Sequence, residues 1–172
     1  ADLFGPYPFD RYGVAITDSL PGLAMETQGL SLFSRDDLDG TLGPIQHLLL
    51  AHELAHQWFG NAVSPAQWDD IWLNEGFATY AQWLWLDEAG LGAVDGSAEG
   101  ALAAIASGGG PVARPNELFG QISYDGGAVV LHALRRTVGD EVFFTGLRRW
   151  VTDHLDGAAS TADFEATMEA VS

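Results

Sequence analysis

His52-Glu53-Leu54-Ala55-His56, followed further along by Glu75, is the stretch on which the reading of this chain turns. An α-helix turns once per 3.6 residues, so His52 and His56 lie one above the other on a single face. Two imidazoles stacked in that way can close on one zinc ion. Glu53 follows the first histidine directly, so its carboxylate stands beside the metal and can take a proton from water; His-Glu-x-x-His on a helix is a zinc-protease signature for these reasons. A catalytic zinc takes three protein ligands and keeps a fourth position open. The third ligand must come from elsewhere, and Glu75 is the candidate. It sits in Trp72-Leu73-Asn74-Glu75-Gly76-Phe77-Ala78, an apolar setting in which an unpartnered carboxylate is costly and metal coordination removes the cost. The 172 residues contain no cysteine, so disulfides and thiolate sites are excluded and any zinc must be held by His and carboxylate.

Working outward, Ile45, Leu48, Leu49, His52, Ala55, His56 and Phe59 recur at helical spacing from about residue 43, and Gly60-Asn61 stops the helix. Val63 to Asp70 reads as a loop containing Pro65, and Ile71 to Glu88 as a second long helix rich in Trp and Leu. Ser97 to Ala106 can form a short Ala-rich helix. Gly108-Gly109-Gly110-Pro111 and Ala113-Arg114-Pro115-Asn116 are loop. Helices are expected from about Ser123 to Val138 and Asp140 to His154. A last one begins near Thr161, where Ser160 and Asp163 are spaced as a capping box; its apolar face is left incomplete at Ser172. Upstream of the motif, Tyr12 to Thr17 reads as a strand, Ser19-Leu20-Pro21-Gly22 as a turn, and Leu23 to Phe33 as a second extended segment with an irregularity at Gly29. A strand-rich part over 1–40 followed by a helical part over 43–172 predicts one α+β domain spanning 1–172.

The composition is globular, with 47% hydrophobic and 11% aromatic residues. The net charge is −17, and all seven basic residues are Arg. A surface this acidic repels phosphate backbones, which argues against nucleic acid; it suits substrates carrying a free ammonium group, or simply keeps the protein solvated. No apolar run approaches 18 residues, so no membrane span is indicated. Ala1-Asp2-Leu3-Phe4-Gly5-Pro6 lacks the pattern of a signal peptide, which points to the cytoplasm. The absence of an initiator Met suggests processing, or a piece of something longer.

The motif extends on both sides. His52-Glu53-Leu54-Ala55-His56-Gln57-Trp58-Phe59-Gly60-Asn61, then eighteen residues between His56 and Glu75, then Asn74-Glu75-Gly76-Phe77-Ala78, closely resembles the M1 family of zinc aminopeptidases. Thermolysin-type endopeptidases share the His-Glu-x-x-His logic but not the Trp-Phe-Gly-Asn continuation. The resemblance implies a thermolysin-like zincin catalytic domain, one Zn2+ per chain held by His52, His56 and Glu75, and Glu53 as the catalytic base. Two further motifs carry over. The family's Gly-Ala-Met-Glu-Asn appears as Gly22-Leu23-Ala24-Met25-Glu26-Thr27, with one extra residue after Gly22 and Thr27 in place of Asn. It implies that Gly22, Ala24, Met25 and Glu26 bind substrate, with Glu26 on the free α-amino group. The family's Tyr-Glu-Lys-Gly-Ala appears as Tyr124-Asp125-Gly126-Gly127-Ala128, with Gly126 in place of Lys. It implies that the Tyr124 hydroxyl stabilises the tetrahedral intermediate.

Taken together, the expectation is a zinc-dependent aminopeptidase that removes the N-terminal residue of peptides. M1 enzymes are much longer than this chain, so flanking domains and reduced activity of the isolated piece are implied. Two alternatives stand beside it: a related zinc hydrolase acting as an endopeptidase or on a non-peptide substrate, and a non-catalytic domain that retains the fold. Asp70 and Thr79 flank the Glu75 segment and are candidates for orienting the ligands. His47 points off the metal face. His132 either lines the cleft or packs, and His154 is expected at the surface. Trp72, Trp83 and Trp85 are expected in the core.

Overall fold

The computed structural model describes residues 3–18, 24–38, 40, 43, 45–106 and 110–172. Three short strands come first: β1 (Gly13–Thr17), β2 (Ala24–Thr27) and β3 (Leu30–Ser34). They form one sheet in the order β1-β3-β2, with β1 parallel and β2 antiparallel to β3. The extended segment expected over 23–33 is therefore a hairpin. Gly29, at φ 71°, turns the chain so that Thr27 pairs with Leu30; a positive φ of this kind is open to glycine without steric cost. Gln28-Gly29 is a weaker turn signal than Asn-Gly, so the local sequence reads as one extended run. The expected turn at Ser19 to Gly22 lies outside the described residues.

Among the described residues six α-helices follow: α1 (Ile45–Ala55), α2 (Trp72–Glu88), α3 (Val94–Ile105), α4 (Gly127–Val138), α5 (Asp140–Asp153) and α6 (Thr161–Glu169). The signature helix is shorter than its periodicity predicted, ending at Ala55 instead of Phe59. Past Ala55 the Gln57 and Trp58 amides bond carbonyls three residues back, and Asn61, Ala62 and Val63 bond carbonyls five back. Gly60, at φ 124°, lets the chain leave this turn. Trp58 and Phe59 are buried all the same, so the apolar pattern outlasts the helix. Val63 to Asp70 was expected as loop. It holds a short strand, β4 (Val63–Pro65), and a 3-10 turn at Trp68–Asp70. The partner of β4 is β5 (Gly157–Ala159), far along the chain and invisible to local periodicity. The helix expected from Ser123 begins as a wide π-type turn, Ile122–Gly126, and becomes regular at Gly127. The capping box expected at α6 is present: Ser160 accepts from the Asp163 amide, and Asp163 accepts from the Ser160 amide.

α2 is the axis of the molecule. Every residue from Trp72 to Ala81 is buried, as in a helix enclosed on all sides. Its aromatic face meets Phe59 through a stacked Phe77 at 4.3 Å and meets α6 through Phe164 at 5.3 Å. Trp72 and Trp83 lie in this core as expected, while Trp85 is half-buried. The polar residues that α2 carries inward, among them Asn74, Glu75 and Thr79, thus lie where water cannot serve them. Among the described residues no helix is long and apolar enough to cross a membrane.

Candidate metal centre and active site

The end of α1 and the first turn of α2 meet at the signature. His52 and His56 lie with ring centroids 4.6 Å apart. The His56 amide still bonds the His52 carbonyl, so the shared face survives although His56 stands just past the regular helix. Glu75 comes up from α2, its Oε2 3.3 Å from His52 Nε2 and 3.6 Å from His56 Nε2. All three side chains are buried.

The other ring nitrogens decide the tautomers. His52 Nδ1 lies 3.2 Å from Gln82 Oε1. His56 Nδ1 lies 3.1 Å from the Phe59 carbonyl and 3.0 Å from Asn74 Oδ1. These partners are acceptors, so both Nδ1 atoms carry the proton and donate. In the neutral rings each Nε2 then presents a lone pair, and both point toward the Glu75 carboxylate. The three ligand atoms converge within 4.8 Å of one another, an arrangement that a divalent cation satisfies. Two imidazoles and one carboxylate, with a buried Glu53 Oε2 beside them that has no hydrogen-bond partner among the described residues, fit a catalytic zinc site.

The residues orienting the histidines are therefore Gln82 and Asn74, which the sequence reading did not pick. Asp70 and Thr79, which it did pick, are elsewhere. Asp70 Oδ1 accepts from the Thr161 amide at 3.1 Å and from Thr161 Oγ1 at 2.7 Å, tying the start of α2 to the start of α6. Thr79 Oγ1 makes no hydrogen bond among the described residues. Helical spacing could have raised Gln82, seven residues past Glu75 on the same α2 face. His47 is exposed and meets the Trp85 ring edge-on, off the metal face as expected. His132 packs: it bonds Tyr80 and Asp95 away from the cleft. His154 is half-buried against Trp150 and bonds its carbonyl at 3.0 Å, so it is not the surface residue expected.

β2 forms one wall. Glu26 projects from it to within 4.8 Å of the Glu53 carboxylate and His56, counted between ligand atoms. The residues following the signature hold this strand in place. Asn61 Nδ2 donates to the Glu26 carbonyl at 2.8 Å, Gln57 Nε2 donates to the Thr27 carbonyl at 3.3 Å, and the Gly29 amide donates to Gln57 Oε1 at 2.7 Å. Asn74 Nδ2 donates to Glu26 Oε1 at 3.3 Å. Of the substrate-binding stretch, Glu26 brings its side chain to the site. Met25 points to the opposite face of the strand and is 46% exposed, so it can offer only backbone there. Ala24 shares the Glu26 face by alternation, and Gly22 lies outside the described residues.

Tyr124 closes the opposite side from the π-type turn, its ring stacked on His52 at 6.0 Å and 17°. Burial raises its pKa, as do the charge of Glu75 and a hydrogen bond to it, so the phenol keeps its proton. Burial likewise pushes the Glu53 carboxyl up to about 7; the positive charge of His52 opposes this and the charges of Glu26 and Glu75 add to it. At Glu26 burial works upward, but His56, the strand amide and Asn74 outweigh it, and the carboxylate is held below its usual range. Burial lowers His56, helped by the neighbouring His52.

Comparison with known proteins agrees with this geometry. The Peptidase family M1 domain model matches residues 1–172. The chain is 34% identical to "Aminopeptidase 2" of Candida albicans over 186 residues, covering 95% of this chain and 20% of that protein. It is 35% identical to "Aminopeptidase M1" of Arabidopsis thaliana, covering 96% and 21%. The chain thus spans about a fifth of the length of these curated relatives. Among solved structures, an M1 zinc metallopeptidase from Deinococcus radiodurans superposes with a TM-score of 0.88 at 36% identity, over 99% of this chain and 38% of that one. The fold is accordingly the α+β, thermolysin-like zincin fold, and Zn2+ is the expected cofactor, which the donor set of His52, His56 and Glu75 fits. With signature, donor set and fold in agreement along its whole length, the chain belongs to peptidase family M1.

Proposed function

We propose that residues 1–172 are the catalytic domain of a longer zinc aminopeptidase, one that hydrolyses the first peptide bond of substrates with a free N-terminus. The observation that carries this reading is the position of Glu26. An ionised carboxylate stands within 4.8 Å of the base Glu53 and of His56, where it pairs with a substrate ammonium and limits cleavage to the first residue. The named relatives are aminopeptidases, and one Deinococcus radiodurans structure, at TM-score 0.82 and 34% identity, is described as bound to a Tyr-Ser-Ala substrate.

His52, His56 and Glu75 would hold the zinc ion, with Gln82 and Asn74 fixing both rings as Nδ1–H tautomers. When bound, the ion supplies Lewis-acid polarisation of a carbonyl and lowers the pKa of coordinated water to about 7. Glu53, with a carboxyl near neutrality, takes the proton of the attacking water and returns it to the leaving amine. The Tyr124 phenol, held protonated, donates to the oxygen on which negative charge grows; a donor of this kind is worth about 10²–10³ in rate. β2 is an edge strand of the described sheet and offers its backbone to an extended substrate, in the manner of strand addition.

The test is a panel of aminoacyl-anilides given to the full-length protein, each beside its N-acetylated form. Free amines are expected to turn over and acetylated ones to fail. Equal cleavage of both would overturn the exopeptidase reading in favour of an endopeptidase.

A further inference from the structure

We infer that Gly76 and Gly127 are positioning residues: the bare crossing of α2 and α4 at these two glycines sets the Tyr124 hydroxyl against the metal centre. The inference rests on the role given to Tyr124 under the proposed function. Neither glycine is needed for its backbone conformation. Gly127 has φ −59° and ψ −47°, ordinary helix, and Gly76 lies inside α2 without a positive φ. Glycine is a poorer helix former than alanine at such places, so a different demand must keep it there. That demand is space. A Cβ on Gly76 would lie 2.7 Å from Gly127 Cα, and one on Gly127 would lie 2.8 Å from Gly76 Cα. The obstacle is backbone on both sides, which cannot swing away.

The crossing sits between the two halves of the site. Gly76 follows the ligand Glu75 directly, and Gly127 comes three residues after Tyr124. A methyl group at the crossing must part α2 from α4. The π-type turn Ile122–Gly126, which feeds directly into α4, is carried along, and Tyr124 moves off His52 and Glu75. Gly126 gives the contrast within the same turn. A Cβ there would meet Ile122 Cδ1 at 2.8 Å, the flexible end of a side chain, and leaves the crossing alone.

The test compares Gly127→Ala, Gly76→Ala, Gly126→Ala, Tyr124→Phe and the double variant Gly127→Ala/Tyr124→Phe in the full-length zinc-loaded protein. Gly127→Ala should lower kcat by about 10- to 100-fold, as for a misplacement approaching 1 Å. KM and zinc stoichiometry should hold, and Gly126→Ala should keep kcat near wild type. The double variant should be no slower than Tyr124→Phe alone, because one lost donor cannot be lost twice. An additive double variant, or an unchanged kcat for Gly127→Ala, would overturn the inference. Loss of zinc or of the helical fold in both Gly127→Ala and Gly76→Ala would also overturn it, since the crossing would then hold the fold and not aim Tyr124. If Tyr124→Phe keeps the wild-type kcat, the catalytic reading of Tyr124 fails, and the His52 ring resonances judge the crossing on its own. A shift in Gly127→Ala, as the stacked phenol withdraws, supports it; an unchanged spectrum overturns it.

Discussion

Asn74 accepts a hydrogen bond from His56, Oδ1 to Nδ1 at 3.0 Å. The other end of the same amide donates to Glu26 Oε1 and to Glu75 Oε1. One side chain therefore orients two of the proposed zinc ligands and the carboxylate proposed for the substrate amine. Asn74→Ala should weaken zinc about 10–100-fold, the usual cost of losing a group that orients a ligand. It should also raise KM for substrates with a free amine. A chelator competition and a steady-state assay read the two effects separately; unaltered zinc affinity would remove Asn74 from the metal site.

Gly60→Ala should reproduce part of this loss from outside the site. Gly60 has φ 124°, and a Cβ there would lie 2.0 Å from Asn74 Oδ1. The substitution strains the backbone and pushes the amide off His56. A destabilisation above about 1 kcal/mol in denaturant titration is expected, together with faster loss of zinc to a chelator.

Glu53→Gln should stop turnover, by about 10²–10⁴-fold, with zinc retained. In the metal-free protein the same change should stabilise the fold at neutral pH. The Glu53 carboxyl rises from 4.5 to about 7 on folding. The folded state thus holds this proton more tightly than the unfolded one. The stability so gained is complete below 4.5 and is lost as pH rises through about 7. An amide in its place does not titrate, so the variant should gain on wild type between those values by up to about 3 kcal/mol, at 1.36 kcal/mol per unit. Parallel unfolding curves from pH 4 to 8 in the presence of chelator check the sign.

Zinc removal should lower the melting temperature, and Tm should climb again with added zinc. At a thousandfold excess over Kd the gain is about 4 kcal/mol. Glu75→Ala should flatten that dependence, which differential scanning calorimetry would show.

Ser160→Ala removes one half of the α6 capping box and should cost about 1 kcal/mol without touching zinc binding. The Ser160 hydroxyl and amide hold the Asp163 carboxyl below its usual value of 3.8. Their contribution is present above 3.8 and is lost as pH falls through the lower folded value. The wild-type advantage in Tm should therefore stand at pH 7 and shrink in acid below pH 3.8.

What could be read from the sequence was what repeats locally. His52, Glu53 and His56 stand out because a helix puts fixed spacings on one face, and the α6 cap because Ser160 and Asp163 are three apart. Glu75 stood out through an acid placed in an apolar run. Gln82, Asn61 and Gln57 were missed for the opposite reason: each acts across a gap between elements, and nothing in its own neighbourhood announces the partner. Asp70 lies close to Glu75 in sequence, but its side chain is taken up by Thr161, 91 residues further along the chain. The early end of α1 escaped notice because Trp58 and Phe59 stay buried after the helix has stopped.

The clasp between Asp70 and Thr161 joins positions 91 apart, and β4 pairs with β5 over a similar interval. Both fasten the entrance to α2, the helix that delivers Glu75. Contacts so distant along a chain carry a larger loop-closure entropy than local ones. Fixing the entrance to the Glu75 helix therefore carries the loop-closure cost of the whole interval from α2 to α6, a cost that the four-residue spacing of His52 and His56 does not carry.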